Sequence, residues 1–82
     1  MRLDKFLKVS RIIKRRTVAN DACDASHVSV NGRTVKASYD VKVGDEITVS
    51  FGARTLTVRV LSVKETVKKE EAAELYEIVS QT

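Results

Sequence analysis

The chain has no proline, no tryptophan, one cysteine and one histidine among its 82 residues. The single thiol, Cys23, excludes an internal disulfide and any zinc site built on paired cysteines. A chain without a disulfide framework fits a reducing compartment, so a cytoplasmic protein is expected. Cys23 stands in an alanine-rich stretch and reads as a small core hydrophobe, not a reactive thiol. His27 has no second histidine with which to hold a metal, and no nucleophile–base pair can be named around it. The expectation is therefore a protein that is not an enzyme and needs no cofactor. Two Phe and two Tyr are too few for an aromatic platform on which single-stranded bases stack. The three glycines all fall in turn contexts, so there is no glycine-rich phosphate loop. No apolar run approaches the roughly 18 residues needed to span a bilayer. No apolar segment of signal-peptide type follows Arg2 and Lys5.

What is present is a globular composition, with 43% apolar and 32% charged residues, which sets the chain apart from disordered sequences. The length fits one domain over residues 1–82. A chain this short buries only about 60–65% of the surface exposed on unfolding, which leaves little room for a walled active site.

Charge is unevenly placed. Residues 1–16 contain seven bases (Arg2, Lys5, Lys8, Arg11, Lys14, Arg15, Arg16) and one acid, Asp4, for a charge of +6. Residues 17–82 carry −2, and the whole chain +4. One strongly basic end on a mildly acidic body points to a polyanionic partner. An anionic membrane is the weaker fit, because the only apolar anchors in the basic segment, Leu3, Phe6 and Leu7, are needed for the core. Arginine suits phosphate because its planar fork donates two parallel hydrogen bonds. Asp4, beside Lys5 and near Arg2, reads as a helix-dipole match or as an ion pair that orients a base.

The periodicity gives an α+β order. Leu3, Phe6 and Leu7 recur at helical spacing over residues 3–9, and a break is expected between Ser10 and Ile13. A second helix is expected over residues 16–25, with Thr17 as a candidate N-cap and Val18, Ala19, Ala22 and Cys23 as its buried stripe. The period then becomes two. Val28 and Val30 lead into Asn31-Gly32, a strong hairpin signal. Val35 returns from it. Val41 and Val43 precede a turn at Gly44-Asp45. Ile47, Val49 and Phe51 form a strand, and Gly52-Ala53 turns into another carrying Leu56, Val58 and Val60. A short helix is expected over Lys68–Leu75, followed by a last strand with Tyr76, Ile78 and Val79. The architecture is two N-terminal helices packed on a small, mostly antiparallel sheet, with a short C-terminal helix.

The run Arg2-Leu3-Asp4-Lys5-Phe6-Leu7, then Arg11, Lys14, Arg16 and Ala19, resembles the S-four RNA-binding domain, or alpha-L motif. So does the continuation Val28-x-Val30-Asn31-Gly32, Lys36-x-Ser38, Val41, Gly44-Asp45 and Ile47. The match holds in register over residues 2–50, leaving 51–82 as a strand and helix completion. The start of the chain, Lys14-Arg15-Arg16-Thr17 and the tail Lys68-Lys69-Glu70-Glu71-Ala72-Ala73 are similar to small free-standing members that act in bacterial ribosome quality control.

The chain itself is expected to be a monomer; that resemblance implies binding to large ribosomal subunits obstructed by peptidyl-tRNA. It implies contacts to large-subunit rRNA and tRNA, and support of C-terminal tailing of the stalled nascent chain beside a tailing factor. A heat-shock-type ribosome recycling factor, or a general rRNA or tRNA binder, is the alternative. Carried over by position, Arg2 and Arg16 are the principal RNA contacts, with Lys5, Lys8, Arg11, Lys14 and Arg15 around them. Asn31 and Lys36 edge the same surface. Two positions depart from the family pattern. Arg15 stands where many members have an N-capping Ser or Thr, and Ser26 stands where a Gly usually ends the second helix. A left-handed cap costs Ser more than Gly, so that junction is expected to be built differently.

Overall fold

Leu3, Phe6 and Leu7 are fully buried, and the helix that carries them, α1 (Leu3–Val9), lies along one side of the core. The computed structural model describes residues 1–82. α1 stops where the sequence breaks its period. Ser10 is its C-cap, buried, with its hydroxyl donating to the Leu7 carbonyl at 3.3 Å. Arg11 then takes a left-handed φ of 63° and turns the chain. Ile13 returns to the core, its N–H on the Leu7 carbonyl.

α2 (Arg16–Asp24) packs against α1 through a narrow stripe, Ala19 and Cys23. Small residues one helical turn apart permit close approach. Val18 is not part of that stripe: it is 49% exposed, because one residue turns it about 100° away from Ala19. Nor is Thr17 the N-cap. The Ala19 N–H donates to the Arg15 carbonyl, so the helix starts at Arg16 with Arg15 as an extended N-cap and no side-chain cap.

The far end of α2 keeps the left-handed junction that a glycine would favour. Ser26 has φ 64°. Its N–H bonds the Cys23 carbonyl, and the His27 N–H bonds the Ala22 carbonyl, which is the Schellman pattern. The departure from Gly therefore changes the cost of the junction and not its shape.

Five antiparallel strands follow: β1 (Val28–Val30), β2 (Arg33–Thr34), β3 (Glu46–Phe51), β4 (Arg54–Val60) and β5 (Tyr76–Gln81). Their order in the sheet is β2-β1-β3-β4-β5, and the class is α+β as expected. A 3₁₀ helix over Lys69–Leu75 stands where the C-terminal helix is expected. Asn31 and Gly32 have φ of 52° and 82°, positive at both positions as a type I′ turn requires. Val30 pairs with Arg33 across it. Val28, Val30, Ile47, Val49, Val58 and Val60 bring one sheet face into the same cluster as Leu3, Phe6, Leu7 and Leu75. The alternation fails at Phe51, which is 44% exposed. It pairs with Arg54 at the end of the hairpin, beyond the rungs Val28↔Val49 to Val30↔Ile47 that β1 covers. Val43, in a loop, and Ile78 and Val79, on edge strand β5, are also exposed.

The start of α1 is fastened by the segment before β3. Leu3 N–H donates to the Tyr39 carbonyl at 2.8 Å and Asp4 N–H to the Ala37 carbonyl at 3.2 Å. Arg2 bridges Asp40, and the terminal amine sits 2.7 Å from the Asp40 carboxylate. This fixes the backbone on which Arg2 and Asp4 are mounted.

Candidate nucleic-acid interface

Asp4 is the centre of the basic surface, although it is an acid. It is 2% exposed, and burying a carboxylate is costly unless donors surround it. Four groups do. Arg2 donates from Nε to Oδ1 at 3.2 Å and from Nη2 to Oδ2 at 3.3 Å. The Lys5 backbone N–H donates to Oδ1 at 2.8 Å, and Asn20 Nδ2 to Oδ2 at 3.3 Å. Arg16 Nε is 3.5 Å from Oδ2. Burial pushes the Asp4 carboxyl up, but the hydrogen bonds from Arg2, Asn20 and Lys5 and the charge of Arg16 outweigh it and hold it below its ordinary value.

The consequence is geometric. Arg2 opens α1 and Arg16 opens α2, and one buried carboxylate ties both guanidinium groups to a single point. Both side chains remain about half exposed, at 51% and 49%. A guanidinium has five N–H donors; Arg2 spends two on Asp4 and keeps the rest for solvent or ligand. Beside them, the first amides of α2 lack any side-chain cap, and uncapped amides favour an anion. Two preset arginine forks with free donors are suited to phosphate oxygens.

The remaining basic residues divide into groups. Lys5 is ion-paired with Glu65, a contact that joins α1 to the segment after β4. Lys8, Arg11 and Lys14 line one cleft with Val9, Glu65, Thr66, Val67 and Lys69. Arg15 is exposed at the N-cap of α2. Lys36 is exposed, one residue before Ala37, whose carbonyl accepts the Asp4 N–H. Asn31 is occupied within the fold. Its Nδ2 donates to Asp45 at 3.1 Å, and its Oδ1 accepts the Glu46 N–H at 3.0 Å.

Local sequence pattern does not mark Asn20, Glu65 or Lys69 as site residues. Asn20 carried a weak signal, one helical turn after Arg16 on α2. Glu65 carried none, and Lys69 only its place in the tail Lys68–Ala73, because only the fold brings residues after β4 to the end of α1.

The comparison with known proteins decides the family. The model of the S4 domain matches residues 1–47. A Bacillus subtilis protein named RQC P-site tRNA stabilizing factor is 58% identical over 81 residues, covering 99% of this chain and 94% of that one.

The chain belongs to the S4 domain family, among the RQC P-site tRNA stabilizing factors.

A Streptococcus pneumoniae factor of the same name is 55% identical over 82 residues, 100% of this chain and 93% of that one. The trimeric structure of Vibrio cholerae Heat Shock Protein 15 superposes with a TM-score of 0.90 at 30% identity, covering 98% of this chain and 82% of that chain. The matched S4 residues 1–47 hold both arginines, Asp4 and Asn20. This S4 domain thus presents its basic helices on the scaffold seen in the solved relative.

Proposed function

We propose that this chain is a non-enzymatic, cytoplasmic RNA-binding factor of ribosome-associated quality control. It acts as a monomer on large ribosomal subunits obstructed by peptidyl-tRNA, and it supports C-terminal tailing of the stalled chain beside a tailing factor. The observation that carries the reading is the Asp4-centred pair of Arg2 and Arg16, two half-exposed forks fixed on adjacent helix starts. Relatives named P-site tRNA stabilizing factors, aligned over nearly the whole chain, supply the RNA class. Large-subunit rRNA and the peptidyl-tRNA are the ligands, with Arg2 and Arg16 as principal contacts. Lys5, Lys8, Arg11, Lys14, Arg15 and Lys36 surround them. Asn31 serves the interface by shaping the hairpin at its edge.

The test is co-sedimentation with large subunits carrying peptidyl-tRNA. Arg2→Ala and Arg16→Ala each weaken association by about 1–3 kcal/mol, the range for charge-assisted hydrogen bonds. Lys8→Ala costs clearly less, since a flexible lysine supplies mainly screened charge. Affinity for RNA also falls steeply between about 50 and 200 mM salt if some four to six phosphates are neutralised. Equal losses for all three variants, or an affinity flat across that range, sink the reading. The likeness to Heat Shock Protein 15 favours one rival, a recycling factor without a tailing role. A reconstituted tailing reaction that proceeds equally well without the chain decides for that rival.

A further inference from the structure

Lys8, Arg11, Lys14 and Lys69 face one cleft of about 540 Å³. One wall is the end of α1 and the turn into α2. The other is the segment 65–69, which lies outside the residues matched to the S4 domain. Glu65 is the only acid lining the cleft, and Lys5 holds it from the side. None of the four facing cations has an acidic partner among the ion pairs of the fold. Both walls are anchored, since Val9 and Val67 pack against the core. The left-handed turn at Arg11 fixes where that arginine leaves the chain.

Four cations against one acid leave the cleft net positive, which favours an anion there. The lining contains no aromatic ring on which a base could stack and no free acid for a ribose hydroxyl. It is suited to the phosphodiester backbone and not to a base or a nucleotide.

Building on the RNA-binding reading above, we infer that this cleft grips a second stretch of RNA backbone, apart from the one held by Arg2 and Arg16. Lys69 is the contact supplied from beyond the S4 core. The Lys5–Glu65 pair links the two walls, so both stretches are bound by one small domain.

The experiment uses the full chain and a fluorescein-labelled RNA hairpin, read by anisotropy across about 50–200 mM salt. Lys69→Gln is compared with Lys68→Gln, its neighbour outside the cleft. Both side chains are exposed, so both variants fold, as circular dichroism checks. Lys69→Gln binds about three- to tenfold more weakly, and its salt slope falls by about one. Lys68→Gln stays within about twofold of wild type. In the double variant with Arg16→Ala the two losses multiply, as separate contacts require. Wild-type affinity and slope for Lys69→Gln overturn the inference, and so do equal losses at Lys68 and Lys69. If Lys69→Gln keeps RNA affinity but loses sedimentation with ribosomes, the cleft takes an acidic protein segment and the RNA assignment is wrong. Failure of the Arg2 and Arg16 variants to weaken binding is a separate result, which removes the underlying RNA reading.

Discussion

Arg16 Nε and the buried Asp4 carboxylate lie 3.5 Å apart, one on each N-terminal helix. Because Arg2 shares that carboxylate, an acidic residue sets the geometry of the most basic surface of the protein. Its role is testable through stability. Asp4→Ala leaves Asn20 and the Lys5 N–H without their acceptor and costs about 1–3 kcal/mol in urea unfolding at pH 7. The sign of the pH dependence follows from the depressed Asp4 value. A carboxyl whose folded pKa is lowered contributes fully above its unfolded value and loses that contribution as pH falls through the folded one. The stability gap between wild type and Asp4→Asn therefore narrows below about pH 4. A gap that stays constant from pH 7 to pH 3 speaks against the hydrogen-bonded carboxylate.

Ser26 holds a left-handed φ of 64° at the end of α2. The Schellman hydrogen bonds survive replacement by Gly, which adopts that conformation without steric penalty but loses more entropy on folding. Ser26→Gly is expected to stabilise by about 0.5–1 kcal/mol, raising Tm by roughly 2–8 °C for a domain of this size. A lowered Tm contradicts the account.

Gly32 sits in open space, with nothing near an added Cβ, yet its φ is +82°. Substitution is thus costly through the backbone alone. Gly32→Ala and Gly32→Val are both expected to destabilise by about 1–3 kcal/mol. Melts indistinguishable from wild type contradict the turn assignment.

Cys23 is buried. Burial, and then the charges of Asp4 and Asp24, push its thiol up to about 11. Since the thiolate is the reacting form, the native protein reacts with Ellman's reagent at pH 8 only as fast as it opens. The same thiol reacts promptly in urea. Immediate labelling of the folded chain would show that Cys23 is accessible.

Much of this protein is read from local pattern. The Leu3, Phe6 and Leu7 spacing marks α1, and the two-residue period with Asn31-Gly32 marks the hairpin, because each reflects forces within a few residues of chain. The excess of bases in residues 1–16 likewise points to a polyanion partner from charge alone. The sequence misplaced Val18 and Phe51, since their exposure depends on which neighbours reach them and not on their own period. Ser26 was expected to alter its junction, but the two backbone hydrogen bonds there kept the left-handed shape despite the side chain.

Which cations share an acidic partner or a cleft was decided only by the tertiary structure. By charge pattern alone Arg2 and Arg16 look like any two of seven bases; the family resemblance singles them out, and helix packing places both beside Asp4. Lys69 belongs to no visible basic cluster until the sheet carries the chain back to the end of α1. Ion pairing depends on distances of a few ångströms, and distances between residues far apart in sequence are fixed by the packing of the core, which a linear pattern does not encode.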